Sequence, residues 1–452
     1  MHNRRVPTLS PGPGRLWPGQ LAFAFSRDRL RFLRDLTSRY GDVVFVRIAG
    51  EPFAILNHPD YVRDVLVTRH RQFHKGIGLE RARLLLGNGV LTSEDDFHDR
   101  QRRLILPVFH RERIATYAVT MADYADRRSR TWTAGETRDV AQEMAALALA
   151  IAGKTLFDAD VEQEATGIGA ALTEVLHSFN FAMLPYGDRM VNWPLPPSIR
   201  FRRARAQLDA TIYRLIAERR ASRTTGRDVL SMLVSVRDAE GDGGGMTDEQ
   251  IRDEALTLLL AGHETTANAL TWTWYLLSQN PDAERALHHE MDRVVGGRVP
   301  SLEDVNALRW TRAVLSESMR LFPPAYVLGR RALEPYRVPG TDYEIPARTT
   351  VLVSQYLLHR DPRFWDEPER FAPERWAVEG QHDARRYTYF PFGAGPRVCI
   401  GEHFAWMEAT LVLATIARRW RFNLVAGHRV EPDPLITLRT RDGMRMTISA
   451  RA

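Results

Sequence analysis

Cysteine is almost missing from this chain: Cys399 is the only one in 452 residues. A lone thiol excludes any intrachain disulfide and fits a cytoplasmic setting. It also argues against zinc and iron–sulfur sites, which draw on several ligands of this kind. Lysine is nearly as scarce. Lys75 and Lys154 are the only two, so almost all the positive charge behind the formal +6 is arginine. Neither an arginine stripe with interleaved aromatics nor a recognition motif is visible, so nucleic acid is not expected as a partner. The cluster Arg202-Arg203-Ala204-Arg205 reads as a solvated helix face. Long hydrophobic runs are absent from the N-terminal segment, Met1 to Phe25, where Leu21 to Phe25 is too short for a bilayer span or a signal-peptide core. A soluble protein with no membrane anchor is expected.

What remains is ordinary globular material, 44% apolar and 26% charged. Length alone would suggest two or three domains, but no repeat or convincing linker divides the chain. It is read as one domain, 1–452, behind a Pro/Gly-rich lead-in over 1–20. Residues 43–48 and 52–56 form short apolar runs split by Ala49-Gly50-Glu51, which suggests a hairpin. From His58 onward, apolar residues recur at three and four, over 115–156, 162–184, 199–236 and 248–278. Pro194, Pro196 and Pro197 force a break between the second and third stretches. Thr247 and Gln250 open the fourth as a capping box. Beyond Glu334, segments 336–338, 343–345 and 350–353 read as strands. A Pro-rich coil to 376, a last helix over about 401–420 and a strand-like tail follow. The expected class is mainly α with a smaller β portion.

The lone cysteine lies in Phe392-Gly-Ala-Gly-Pro-Arg-Val-Cys-Ile-Gly401. Three glycines within nine residues let a backbone pass close to a flat ligand. Cys399 precedes an expected amphipathic helix, whose N–H groups and dipole favour thiolate over thiol. Arg397, two residues away, can pair with an acidic group of the same ligand. A metal-bound thiolate in a backbone nest accounts for these features together. The segment resembles the haem-binding signature of the cytochrome P450 family, Phe-x-x-Gly-x-Arg-x-Cys-x-Gly, at every specified position. That resemblance implies the P450 fold, with haem b between the long central helix and the cysteine-loop helix. It implies Cys399 as axial thiolate, Phe392 packed beside the sulfur and Arg397 on a haem propionate.

A second segment, Ala261-Gly-His-Glu-Thr-Thr266, falls inside the long helix from about Asp248. A mid-helix glycine costs ~1 kcal/mol relative to alanine, so close approach of a ligand is a reason for Gly262. A threonine hydroxyl bonded one turn back bends a helix, and an adjacent acid can relay protons. His263-Glu264 lacks the second histidine of a zinc-protease helix, since position 267 is alanine. In the P450 family this pattern forms the oxygen-binding groove. By resemblance Ala261 borders the haem, Thr265 orients protons toward dioxygen, and Glu264 belongs to the delivery route. Glu317 and Arg320 share a helix face, and with Arg375 of Phe371-Ala-Pro-Glu-Arg-Trp376 they match the family's buried Glu-Arg-Arg triad. His98 and Arg102, at i,i+4, and Arg330, before a strand and beside Arg331, resemble further propionate contacts.

These elements run from 98 to 401 in the family's order, with nothing left over for a fused reductase. The resemblance implies a monooxygenase that inserts one atom of O2 into a hydrophobic small molecule, a terpenoid or other secondary metabolite. Electrons would come from a ferredoxin or flavodoxin with an NAD(P)H-dependent reductase. The substrate-facing segments implied are 73–91, 172–190, the helix before Ala261 and 324–329. They hold Leu84 to Leu86, Phe179, Phe181, Met183, Leu184, Leu258, Val327 and Leu328. Two other classes remain open, a peroxide-driven haem peroxygenase and a gas-binding haem protein without turnover. The Glu264-Thr265 pair argues against both.

Overall fold

A computed structural model describes residues 11–13, 19–158, 171–172, 174–175, 190–221, 228–238, 241, 243–377 and 386–451. The helical reading over 162–184, with Phe179, Phe181, Met183 and Leu184, lies almost wholly outside the described residues. Along the chain run α1 (Gln20–Arg27), α2 (Arg29–Tyr40), β1 (Val43–Ile48), β2 (Glu51–Leu56), β3 (Phe73–Lys75), α3 (Ile77–Leu86), α4 (Asp95–Ile105) and α5 (Ala118–Arg130). Then come β4 (Thr137–Asp139), α6 (Val140–Phe157), α7 (Pro196–Ala221), α8 (Asp248–Gln279), α9 (Arg309–Leu321), β5 (Leu328–Ala332) and β6 (Thr350–Val353). Helix α10 (Glu402–Ala417) leads to β7 (Trp420–Leu424), β8 (Pro432–Pro434), β9 (Leu438–Thr440) and β10 (Arg445–Ala450).

The described residues of Met1–Glu80, Arg320–Arg370 and Val378–Cys399 form one compact unit. Its sheet has the order β1-β2-β6-β5-β3, with β2 and β6 parallel and the other pairs antiparallel. Side chains alternate along a strand. Val44, Val46 and Ile55 therefore pack on Phe32, Leu33 and Leu36 of α2, while Val43, Ala54 and Leu56 join Leu66, Phe73 and Phe390 in a second core. Arg330 lies within β5, not ahead of a strand as the sequence suggested, because 328–331 pair with 350–353.

The described residues of Arg81–Met319, Phe371–Ala377 and Ile400–Ala452 form the other unit, built around α8. The capping box holds as expected: Gln250 N donates to Thr247 Oγ1 at 3.2 Å and Thr247 N to Gln250 Oε1 at 2.8 Å. The apolar repeat over 115–156 suggests continuous helix, but Gly135, at φ 88°, turns the chain out of α5 and into β4. There β4 pairs with β10, which also pairs with β7. Among the described residues α6 is the one helix long and apolar enough to cross a membrane. Two-thirds of it (67%) is buried inside the protein, which fits a core helix. Helix α10 is likewise buried along nearly its whole length from Trp406 to Ala417, so it is a core helix and not the amphipathic one expected.

Glu317 of α9 is fully buried. It accepts the Ala372 amide at 3.0 Å and the Trp376 indole N–H at 2.9 Å, and pairs with Arg375 at 3.4 Å. Arg320, further along α9, donates to the carbonyls of His359 (2.8 Å), Pro368 (2.6 Å) and Arg370 (3.0 Å). These charged groups hold irregular segments that have no ladder of their own.

Candidate functional site

The cysteine loop is shaped by its backbone. Cys399 N donates to the Phe392 carbonyl at 3.0 Å, closing the segment on itself. Gly395 sits at φ 74° against the carbonyl of Leu66, which a Cβ there would strike. Both its conformation and the space around it therefore require glycine. The Cys399 side chain is exposed, unusual for a residue that generally behaves as a buried hydrophobe. Arg397 donates to the Phe73 carbonyl at 2.7 Å, tying the loop to β3. Within β5, Arg331 pairs with Glu80 at 3.1 Å. Arg330 faces the opposite side of the strand; it is 6% exposed and bonds the Gly329 carbonyl at 3.0 Å. The pairing with Glu80 resolves which of the two arginines is committed to a surface ion pair.

In the other unit, α8 is buried continuously from Ile251 to Leu260 and again from Thr266 to Trp274. Between those stretches Ala261 is exposed and 262–265 are partly so. A Cβ placed on Gly262 would meet no atom within 4 Å. Thr265 Oγ1 donates to the Ala261 carbonyl at 2.7 Å, the one-turn-back bond expected of a mid-helix threonine. Burial raises the pKa of Glu264, an effect offset in part by the Thr437 hydroxyl and the Arg439 charge. Thr437 also accepts from Asn268 Nδ2 at 3.0 Å. The 437–439 stretch beside Glu264 carried no sequence signal, since only the folded tail brings it to α8. His263, facing Ala145, is held neutral: burial lowers its pKa to about 4.

His98 and Arg102 share α4, four residues apart as expected. His98 is buried, its Nδ1 3.4 Å from Ser93 Oγ, and Arg102 is half-buried. One acid escaped the sequence reading. Glu408 of α10 is fully buried, and among the described residues neither carboxylate oxygen has a hydrogen-bond partner. Burial pushes its pKa up to about 8, tempered by the Thr266 hydroxyl. A charged residue in the apolar run Ala405–Ala417 was the one available signal.

The family model for cytochrome P450 matches residues 11–442. The chain belongs to the cytochrome P450 family. It is 42% identical to cyclooctatin synthase of Streptomyces melanosporofaciens, over 94% of this chain and 92% of that one. It is 36% identical to cyclooctat-9-en-7-ol 5-monooxygenase of the same organism, over 89% and 87%. Pentalenene oxygenase of Streptomyces avermitilis is 34% identical, over 95% of each chain. In fold this P450 is similar to the haem domain of cytochrome P450DA, with a TM-score of 0.88, 24% identity and 99% of each chain covered. The mainly α class with a smaller β portion is thus the P450 fold. The chain is a cytochrome P450 monooxygenase, of a family that uses haem and dioxygen, hydrophobic substrates and redox partners.

Proposed function

We propose that this P450, a single catalytic domain, holds haem b through Cys399 as axial thiolate and hydroxylates a terpenoid. The observation that carries the haem assignment is the exposed thiol at the end of the bridged loop from Phe392. The donor set agrees in chemistry with the group it would hold. In one unit the Cys399 thiolate would suit iron and the Arg397 and Arg330 guanidinium groups would suit propionates. In the other, Arg102 and His98 are of the same propionate-binding chemistry, and a Cβ on Gly262 would meet no atom within 4 Å. The terpenoid class is supported by two relatives named for oxidising an alkene and an alkenol. The substrate segments add apolar groups, Leu258 and Leu328 among them.

Haem, when bound, supplies the reductive activation of dioxygen, with one oxygen atom going into a C–H bond and the other leaving as water. The protein's own groups prepare that chemistry. Cys399 would supply the thiolate that holds the iron. The Thr265 hydroxyl spends its proton on Ala261, leaving its lone pairs to accept a proton from a neighbouring donor. Glu264, with its raised pKa, keeps a proton available closer to neutral pH than an exposed glutamate would. Electrons arrive from a ferredoxin or flavodoxin with its NAD(P)H-dependent reductase, in the cytoplasm.

The test is the spectrum of the reduced carbon monoxide complex. Wild type is expected to show the thiolate-type band and Cys399→Ala to lack it; a thiolate-type band in the variant refutes the assignment. For the substrate, titration with pentalenene and a panel of cyclic terpenoids should shift the haem spin state. A shift with fatty acids and none with terpenoids overturns the class.

A further inference from the structure

Three consecutive charged residues near the start of α8, Arg252, Asp253 and Glu254, are 3%, 6% and 0% exposed. The oxidation chemistry does not use them. Buried charges are costly unless partnered, so their partners are informative. Asp253 Oδ2 accepts the Asn88 amide at 2.6 Å, and Glu254 Oε2 accepts the Val90 amide at 2.9 Å. Arg252 donates to Asp253 Oδ1 at 2.8 Å, to Asp209 Oδ1 at 2.8 Å and to the Leu85 carbonyl at 3.2 Å. Arg205 of α7 takes the Leu84 carbonyl at 2.5 Å, and Arg83 closes the turn onto the Thr92 carbonyl at 2.9 and 2.7 Å. The carbonyls at the end of α3 and the amides after it are thus received by charged side chains of two other helices.

The turn lies directly on the helix. A Cβ on Gly89 would stand 2.6 Å from Thr257 Oγ1 and 2.9 Å from the Asp253 carbonyl, and one on Gly87 would enter the Asp253 carboxylate. Asp253, Thr257 and Ala261 follow at i, i+4 and i+8, a single row along α8. The turn therefore covers that row to within one helical turn, about 6 Å, of the exposed Ala261.

We propose that Asp253 and Glu254 are positioning residues: they clamp the 87–92 turn onto α8 as a rigid shoulder beside the oxidation site, and so govern which molecules fit there. This rests on the haem reading above. The test uses the holoenzyme and two iron-ligating probes, imidazole and the bulkier 4-phenylimidazole, followed by their spectral shifts. In Asp253→Ala and Glu254→Ala, 4-phenylimidazole should bind about tenfold more weakly, or ~1.4 kcal/mol, while imidazole stays within about twofold. Asp253→Asn and Glu254→Gln, which keep an acceptor oxygen, should recover most of the loss. Hydrogen exchange on the wild type should show the Asn88 and Val90 amides as protected as those of α8, a readout that stands even where a variant folds poorly. An unchanged ratio of the two affinities, or wild-type amides exchanging at exposed-loop rates, overturns the clamp. Failure of imidazole to shift a wild-type haem spectrum strikes the haem reading instead.

Discussion

Glu408 offers a measurable consequence of burying an unpartnered acid. Its pKa is raised from 4.5 to about 8. Between those values the folded protein keeps a proton that the unfolded chain releases, so stability falls as pH rises. Each pH unit in that window costs ~1.4 kcal/mol; from 4.5 to 7 the loss accumulates to roughly 3 kcal/mol, and above about 8 it stops growing. Glu408→Gln keeps the shape and cannot ionise, so its penalty for an unpartnered amide is independent of pH. Urea unfolding of both proteins at intervals from pH 5 to 9 should show the variant gaining on wild type up to about pH 8, then a constant difference. Parallel stability curves across that range would refute the argument, since they would mean that the carboxyl group is either solvated or paired in the folded state.

Other outcomes follow from the same geometry. Thr265→Ala removes the hydroxyl at the open stretch of α8, so electron consumption should continue while product falls and peroxide rises; unchanged coupling, measured as product per NAD(P)H, counts against its role. Gly395→Ala forces a Cβ into the Leu66 carbonyl at a left-handed φ, and should lower haem content of the purified protein. Full haem loading would show that the cysteine loop tolerates the shift. Glu317→Ala removes a fully buried carboxylate and leaves its three partners, the Ala372 amide, the Trp376 indole and Arg375, without it, and should destabilise by ~3–5 kcal/mol in chemical unfolding. A change below about 1 kcal/mol would place that carboxylate in contact with water.

Local pattern carried much of this protein. The capping box at Thr247, the 43–56 hairpin and the long helix through Ala261-Thr266 are set by neighbours within a few residues, so they could be read directly. Helix α10 reads as amphipathic in the sequence, yet is buried on nearly all sides, because a single sequence shows which residues are apolar, not how many sides of a helix will be covered. The break at Gly135 was hidden by apolar periodicity continuing on both sides of it. Arg330 could not be separated from Arg331 until the pairing of β5 with β6 assigned them opposite faces.

The sequence by itself determined the chemistry on offer: one thiol, glycines that free the backbone around it, and an acid–threonine pair within a single helix. Those are short-range facts, written in residues that touch each other along the chain. Only the tertiary structure decided the electrostatics. Glu408 becomes a weak acid because α10 is covered on every side; Glu264 gains Thr437 and Arg439 because the tail returns to α8. Asp253 and Glu254 become clamps because a turn some 165 residues earlier lies across them. Burial and long-range partners set a charge's behaviour, and neither is a property of sequence spacing.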